Sequence, residues 1–389
     1  MRVLLTAAAI PSHFSILVPL ALALRDAGHD VAVASGPNVV PRIEQLGIPA
    51  FSVGTAPAAR TPPPADPKAR LRWAWEEYFV GSAGAQRLRD LLGHARAWQP
   101  ALIVRENAEL AGCVAAEALG IPHAVIQNGN IDAARRLPDD LFTAWLDGLR
   151  AAAGLPPDPE RAMLARYLLL LPVPRSFHDP SIPLPATAHF LRPFTFDRTD
   201  HERLPAWLED LPQRPTVYMT LGTVYNARLD LFTMAIEALR DEPVNLIVTV
   251  GRDQDPAQFG PQPPHLRIER YIPNSLLLPR CNLMINCASM NSLRSAFEDA
   301  LPLVLLPLAA HHPLNAARCE TLGVARVLDP RTATPAALRE AVSAVLAEPS
   351  YRANVLQLQH EVMAMPGIEQ AIELIERLAT DRRPIPSLG

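Results

Sequence analysis

Short apolar runs alternate with segments of helical periodicity along most of the chain. In the first half, the runs Val3–Thr6, Asp30–Ala34, Ala101–Arg105 and His123–Ile126 predict strands, and residues 16–26 have the period of a helix. Parallel strands need a crossover connection, usually a helix, whereas antiparallel strands can be joined by tight turns. The alternation therefore predicts a parallel α/β sheet in this half.

The same alternation restarts after a polar, proline-containing connector at about residues 193–215. Apolar runs in this half predict strands at Thr216–Leu221, Asn245–Val250, Leu266–Glu269, Asn282–Asn286, Leu303–Leu306 and Ala325–Leu328. Helical patterns separate these runs and continue to the C-terminus. The sequence thus predicts an α/β protein with two Rossmann-like domains.

The restart of the pattern also suggests the domain boundaries. We expect an N-terminal domain over residues 1–200, a linker over 201–215 and a C-terminal domain over 216–365, with a hinge near residues 193–215. A final helix over 366–389 is expected to pack back on the first domain. Ligands of open parallel sheets bind at the carboxyl ends of the strands, so we expect the site in a cleft between the domains.

Composition argues against several kinds of partner. Apolar residues make up 49% of the chain, charged residues make up 20%, and the net charge of −4 provides no basic surface for nucleic acid or an anionic membrane. The N-terminus MRVLLTAAAI resembles a buried strand rather than a secretory signal. The cysteines show no paired metal-ligand spacing. We expect a cytoplasmic protein without a metal or bound cofactor, and a homodimer stays open.

A dinucleotide-dependent dehydrogenase is the first alternative, because it shares this alternation of strands and helices. Such an enzyme needs a glycine-rich first turn, G-x-G-x-x-G, so that the backbone can approach a pyrophosphate. The first turn of this chain, TAAAIPSH, contains no glycine. The dehydrogenase hypothesis therefore fails on a required feature.

Polar side chains suited to catalysis or ligand binding lie in segments that follow predicted strands. PSHFSILVPL contains His13, and Glu106 comes directly after the strand ALIVR. The second half contains YIPNSLLLP, NCASMNS, LPLVLLP and AAHHPLNA, in that order. Together these segments resemble the inverting glycosyltransferases of the GT-B fold, especially the bacterial enzymes that decorate antibiotics and related natural products, and most of all the enediyne-type tailoring enzymes. The resemblance covers nearly the whole chain, as far as the AMPG segment at Ala364–Gly367.

The resemblance implies roles for two residues of the first half. The family carries its catalytic base in a G-H-x-x-P-like segment at the position of His13, where it deprotonates the acceptor. Glu106 stands where the family usually has an aspartate that accepts a hydrogen bond from the other ring nitrogen and stabilises the imidazolium. The alternatives are a surface or capping histidine and a solvated loop carboxylate, and Glu109 is the fallback for Glu106.

The resemblance also implies a nucleotide-sugar site in the second half. Tyr271 stands where the family's W-x-P-Q-x-x-L-L-P motif stacks an aromatic ring on the nucleotide base. Asn291 and Ser292 match the plant motif H-C-G-W-N-S, and Asn315 matches D-Q-x-x-N-A. Backbone N–H groups at a helix start, a hydroxyl and the helix dipole suit a pyrophosphate leaving group. The expected donor contacts are Gly222, Thr223, Tyr271, Ile272, Cys287, Ser289, Met290, Asn291, Ser292, His311, His312 and Asn315.

The donor region departs from the family at several positions. Cys287, a weak hydrogen-bond donor, replaces a phosphate-contacting histidine. Ala288 and Ser289 replace two glycines, and His311 and His312 replace an Asp-Gln pair that contacts sugar hydroxyls. These changes fit a deoxysugar donor with fewer hydroxyls, and they equally fit a site without turnover. A protonated histidine pair would recover part of the phosphate binding, which predicts stronger nucleotide binding at pH 6 than at pH 8.

Two further features have simple structural explanations. An aromatic cluster beyond the proline-rich loop at residues 61–70 lines an apolar acceptor site or belongs to the core, and we favour the acceptor wall. Its members are Trp73, Trp75, Tyr78 and Phe79. The D-Q-D string at 253–255 matches a metal motif of a different glycosyltransferase fold, but its polar surroundings predict a surface turn.

These inferences predict a metal-independent glycosyltransferase that moves a deoxysugar from TDP or UDP to an apolar natural product with inversion. The alternative is an inactive pseudo-glycosyltransferase that acts as a scaffold or auxiliary partner, which the loss of histidine at Cys287 favours. A sugar-nucleotide 2-epimerase on the same fold would need several acid–base side chains converging in the cleft, and the sequence offers few.

Overall fold

The computed structural model describes residues 1–55, 66–128, 139–197, 203–222 and 226–387. The chain divides into two units. The first consists of Met1–Val173, Pro180–Phe196 and Pro366–Gly389, and the second consists of Pro174–Asp179 and Asp197–Met365. Within the described ranges, no helix is both long enough and apolar enough to cross a membrane.

Parallel strands form the sheet of the first unit. They are β1 Arg2–Thr6, β2 Asp30–Ser35, β3 Ala50–Ser52, β4 Leu102–Glu106, β5 His123–Ile126, β6 Leu168–Leu171 and β7 Ala188–Phe190. Their order across the sheet is β3-β2-β1-β4-β5-β6-β7. The helices are α1 Pro11–Ser15, α2 Val18–Asp26, α3 Val40–Glu44, α4 Pro67–Trp75, α5 Ser82–Trp98, α6 Ala111–Leu119 and α7 Asp139–Ala152, with a π-helical turn at Glu76–Val80.

The central strand β1 shows why this sheet forms. Val3 and Leu5 pack into the hydrophobic core on one face of the sheet, whereas Leu4 packs into the core on the other face. Successive side chains of a strand point to opposite faces, and helices cover both faces of a parallel sheet. Each residue of the run is therefore buried, which explains its continuous apolar sequence.

Parallel strands also form the sheet of the second unit. They are β8 Thr216–Thr220, β9 Asn245–Thr249, β10 Leu266–Glu269, β11 Leu283–Asn286, β12 Leu303–Leu305 and β13 Ala325–Val327, in the order β10-β9-β8-β11-β12-β13. The helices are α8 Leu229–Leu239, α9 Asn274–Leu277, α10 Met290–Glu298, α11 His312–Thr321, α12 Pro335–Ala347 and α13 Pro349–Ala364. Short 3-10 turns occur in the second unit at Arg175–Phe177, Ala206–Asp210, Pro256–Phe259 and Leu278–Arg280, and in the first unit at Ala162–Leu164.

The last helix, α14, spans Ile368–Asp381 and belongs to the first unit, where it packs on α2 and β6. Its apolar face contributes Ala371, Leu374, Ile375 and Leu378 to the core. This face repeats at the spacing of an amphipathic helix, so packing rather than helix propensity alone holds it in place.

The predicted α/β class with two parallel sheets is confirmed. Three details differ from the sequence expectation. The helix predicted at residues 16–26 is preceded by a separate helix, α1, because Pro19 fits only the first turn of the helix that follows. The strands β3, β6 and β7 were not predicted. Glu106 is the last residue of β4 rather than the first residue after it.

Candidate active site

His13 lies in α1, just beyond the carboxyl end of the central strand β1. Its ring is partly buried, and Nδ1 lies 3.0 Å from Oε1 of Glu106, which is an ion-pair distance. The ring N–H is not lined up with that oxygen, and catalytic hydrogen bonds often tighten only once substrate is bound. The structure thus brings together the two residues that the sequence paired as base and carboxylate.

Glu106 is buried completely, so the alternative of a solvated loop carboxylate is wrong. Its Oε1 accepts a hydrogen bond from the Ala8 backbone N–H at 3.3 Å, and its Oε2 accepts one from the Ala108 N–H at 2.8 Å. Burial alone would raise the pKa of this carboxyl, but the charge of His13 and these hydrogen bonds outweigh burial and lower the pKa. Glu106 is therefore a carboxylate at neutral pH.

Glu109, the fallback for this role, does other work. Its carboxylate accepts hydrogen bonds from the Thr6 hydroxyl at 2.7 Å and from the backbone N–H groups of Ala111 at 3.0 Å and Gly112 at 2.8 Å. The last two groups belong to the first turn of α6, where N–H groups have no partner within the helix. Glu109 therefore joins β1 to the start of α6, and Glu106 is the carboxylate beside His13.

Two asparagines that the sequence analysis missed support the same region. The Asn107 side chain accepts a hydrogen bond from the Asn128 N–H at 2.9 Å. The Asn128 side chain in turn lies 3.5 Å from the Ser12 carbonyl, next to His13 in the chain. Asparagines just after β4 and β5 were the only signal available, and asparagine is common in any turn.

The aromatic cluster lies largely in the core of the first unit. Trp75 and Phe79 are buried, with ring centroids 5.0 Å apart. Phe79 also lies beside His13, at a centroid distance of 5.4 Å. Trp73 is half-buried, and the Tyr78 side chain lies outside the described residues. The core explanation therefore holds for Trp75, while Phe79 forms one wall beside the candidate base.

In the second unit, the turn from β11 into α10 and the first residues of α10 contain five of the twelve expected donor contacts. Ser289 is the residue that caps α10, and its hydroxyl accepts from the Ser292 N–H at 3.5 Å and donates to the Ser292 hydroxyl at 2.9 Å. The Asn291 side chain accepts a hydrogen bond from the buried Arg294 at 3.1 Å. Met290 is buried, so its side chain is part of the packing and its contribution to a ligand is limited to the main chain.

Cys287, which the resemblance aligns with a phosphate-contacting histidine, is a core residue in this structure. Its thiol donates to the Leu221 carbonyl, with a sulfur–oxygen distance of 3.5 Å, and belongs to the hydrophobic core. Burial raises the pKa of the thiol to about 11, so it is neutral at physiological pH. Gly222 follows Leu221 with a φ of 72°, a conformation that glycine adopts freely, and Thr223 lies outside the described residues.

Tyr271 and Ile272 line a cavity of about 620 Å³ in the second unit. The Tyr271 hydroxyl donates to Asp197 at 2.6 Å, and the Arg252 guanidinium lies 3.9 Å from the centre of its ring. A nucleotide base that stacked on this ring would have to use the other face or displace the arginine. The cavity is lined by Arg203, Pro205, Arg252, Pro256, Glu269, Arg270, Tyr271, Ile272 and Pro273.

The histidine pair precedes and begins α11. The two rings lie 5.5 Å apart in a T-shaped arrangement. His312 is buried, and burial lowers its pKa to about 4. This ring is therefore neutral at both pH 6 and pH 8 in the unliganded protein, which argues against a contribution of His312 to the expected stronger binding at the lower pH. Asn315, one turn later, donates to the Ala288 carbonyl at 2.9 Å.

The D-Q-D string behaves as the predicted surface turn. Asp255 caps the 3-10 turn that follows it and forms an ion pair with Arg270 at 3.2 Å. In the part of the chain that the structure describes, no cluster of three or more histidine, cysteine or carboxylate side chains has the geometry to hold a metal ion.

Comparisons with known proteins agree with this fold and these segments. Residues 234–378 match the family described as Erythromycin biosynthesis protein CIII-like, C-terminal domain. The chain is 30% identical to 10-deoxymethynolide desosaminyltransferase of Streptomyces venezuelae, over 100% of this chain and 99% of that protein. It is 28% identical to aklavinone 7-beta-L-rhodosaminyltransferase of Streptomyces galilaeus, over 98% of this chain and 97% of the relative.

Solved structures show the same architecture. Glycosyltransferase VinC in complex with DTDP matches with a TM-score of 0.80 and 27% identity, over 98% of this chain and 100% of that one. The expected GT-B fold is thereby confirmed. The closer likeness to enediyne-type enzymes stays a prediction.

The environment of Glu106 makes a prediction about stability. We expect Glu106→Gln to lower the free energy of unfolding at pH 7 by about 1–3 kcal/mol, because an amide cannot accept all the hydrogen bonds that the carboxylate accepts. The pKa of Glu106 in the folded protein lies below its ordinary value of 4.5. The difference between wild type and variant should therefore persist above pH 4.5 and shrink as the pH falls toward the lower pKa of the folded protein, because the unfolded wild type then takes up a proton that the folded protein does not.

Urea denaturation of both proteins at pH 7, 5, 4 and 3.5 measures this difference. A gap between the two proteins that stays constant down to pH 3.5 would contradict the lowered pKa, and a more stable variant at pH 7 would contradict the favourable hydrogen bonds.

Proposed function

The chain belongs to the NDP-sugar glycosyltransferase family of antibiotic biosynthesis, and we propose that it transfers a deoxysugar from TDP or UDP to an apolar natural-product acceptor with inversion. The observation that carries this proposal is the pair formed by His13 and the buried carboxylate Glu106 at the carboxyl end of β1 and β4. The two relatives are named as a desosaminyltransferase and a rhodosaminyltransferase, and these names support a deoxysugar donor.

Acceptor activation falls to His13 in this proposal. Because Nδ1 faces Glu106, Nε2 is the ring atom that takes the proton from the acceptor hydroxyl. The resulting imidazolium lies 3.0 Å from a carboxylate whose lowered pKa keeps it ionised. That charge stabilises the cation as it forms, and the same contact keeps the neutral ring in the tautomer with a basic Nε2.

The start of α10 assists the departure of the nucleoside diphosphate in this proposal. Its first-turn N–H groups carry the positive end of the helix dipole, which favours a developing negative charge. Ser292 accepts a hydrogen bond from Ser289, so its own proton is available to a phosphate oxygen. These groups are main chain or hydroxyl, and they survive the replacement of the family's histidine by Cys287.

The base is tested against a matched pair elsewhere in the first unit. His29 lies just before β2, at the amino ends of the strands, whereas His13 lies at their carboxyl ends. The Nε2 atom of His29 contacts Glu376 at the same distance of 3.0 Å. We expect His13→Ala to lower kcat by about 10²–10⁴-fold with TDP binding unchanged, because general-base catalysis typically contributes that much. His29→Ala should leave kcat within about 2-fold of wild type, since this pair lies at the amino ends of the strands, away from the candidate site.

Transfer is assayed with 10-deoxymethynolide and aklavinone as acceptors and the corresponding TDP-sugars as donors, and calorimetry measures TDP and UDP binding. Near-wild-type turnover by His13→Ala would remove that residue from the mechanism. A wild-type protein that binds neither nucleotide at millimolar concentration would contradict the donor class and favour a scaffolding role.

A further inference from the structure

Ala288 occupies a backbone conformation that alanine rarely adopts. It lies between β11 and α10 with a φ of 61°, in the left-handed region. Glycine enters this region freely, whereas the Cβ of any other residue meets the following carbonyl oxygen. The turn must hold Ala288 there, because nothing in an alanine side chain does so.

Two buried amide side chains grip the backbone on each side of the Ala288 Cα. The Asn286 Oδ1 accepts a hydrogen bond from the Ala288 N–H at 2.7 Å, and the Asn315 Nδ2 donates one to the Ala288 carbonyl at 2.9 Å. All three residues have no exposed surface. The two hydrogen bonds fix the peptide planes before and after this Cα, and those planes define its φ and ψ.

We propose that Asn286 and Asn315, here called the amide clamp, are positioning residues for the donor diphosphate. The clamp holds Ala288 in the left-handed conformation and so sets the direction in which the first N–H groups of α10 and the Ser292 hydroxyl point. This inference rests on the proposed function, since it concerns the same leaving-group site. Asn286 has no role in the sequence-based site, and Asn315 acts on the turn rather than on the sugar nucleotide.

The neighbours of Ala288 are fixed as well, each by a different element. The Cys287 thiol donates a hydrogen bond to the carbonyl of Leu221, which follows β8. The Ser289 hydroxyl donates a hydrogen bond to the Ser292 hydroxyl inside α10. The clamp adds β11 through Asn286 and α11 through Asn315. An error of about 1 Å in such a site is large for hydrogen bonds to phosphate, which need donor–acceptor distances of about 2.7–2.9 Å.

The first arm of the test compares TDP with thymidine, which lacks the diphosphate. We expect Asn315→Ala to raise the dissociation constant of TDP about 10-fold, the effect of one misplaced hydrogen bond to a charged group. The affinity for thymidine should change less than about 2-fold, because the clamp does not act on the nucleoside. Ligand-observed NMR and calorimetry give both constants.

The second arm uses Ala288→Gly as a rescue. Glycine adopts the left-handed conformation without the clamp, so Asn315→Ala/Ala288→Gly should recover most of the TDP affinity. Ala300→Gly is the matched control, because Ala300 is a buried alanine with a φ of 50° that follows α10 at the end away from the turn. Adding Ala300→Gly to Asn315→Ala should not restore TDP binding. If Asn315→Ala fails to fold, Asn315→Ser is used in its place, because serine leaves room for a water molecule at the Ala288 carbonyl.

The possible outcomes distinguish a failure of this inference from a failure of the proposed function on which it rests. A selective loss of TDP affinity that only Ala288→Gly restores supports the clamp. Equal loss of TDP and thymidine binding, no loss at all, or equal rescue by Ala300→Gly overturns it while the transferase proposal stands. A wild-type protein that binds thymidine but neither TDP nor UDP overturns both.

Discussion

In both sheets the strands are parallel, so the chain must leave every strand at the same edge and turn directly into a crossover. The peptide groups in these turns lose their strand partners before a helix supplies new ones. In this protein, side chains at the ends of the strands supply the missing partners. Glu106 accepts from Ala8 and Ala108, Glu109 accepts from the first turn of α6, and Asn286 accepts from Ala288. The chemistry of both units grows out of this requirement.

The two units satisfy this requirement for hydrogen-bond partners in different ways. In the first, the carboxylate that satisfies the backbone is buried and also contacts His13, so a structural anion becomes the partner of the proposed base. In the second, neutral amides and hydroxyls satisfy the turn and leave the positive end of α10 for a ligand. A site made from main chain does not depend on one side chain. The proposed leaving-group role is therefore compatible with a Cys287 thiol that is hydrogen-bonded to the Leu221 carbonyl.

The sequence predicted the fold well because apolar runs are the direct consequence of burial on both faces. β1, β2, β4 and β5 followed from such runs, whereas β3 and β7 are three residues long and each contains a polar residue, Ser52 or His189, so neither forms a continuous apolar run. The sequence favoured Glu106 and kept Glu109 as the fallback, since both follow the same apolar run and only the turn decides which carboxylate faces His13. The clamp was missed for a related reason: its two amides are 29 positions apart and meet only through Ala288.

A crystal structure of the protein with TDP would test most directly whether main-chain groups at the start of α10 hold the leaving group. We expect phosphate oxygens within about 3 Å of the first-turn N–H groups and of the Ser292 hydroxyl, with the φ of Ala288 still positive. A diphosphate bound instead by Arg203, Arg252 and Arg270 in the cavity beside Tyr271, with the turn before α10 uninvolved, would contradict this assignment.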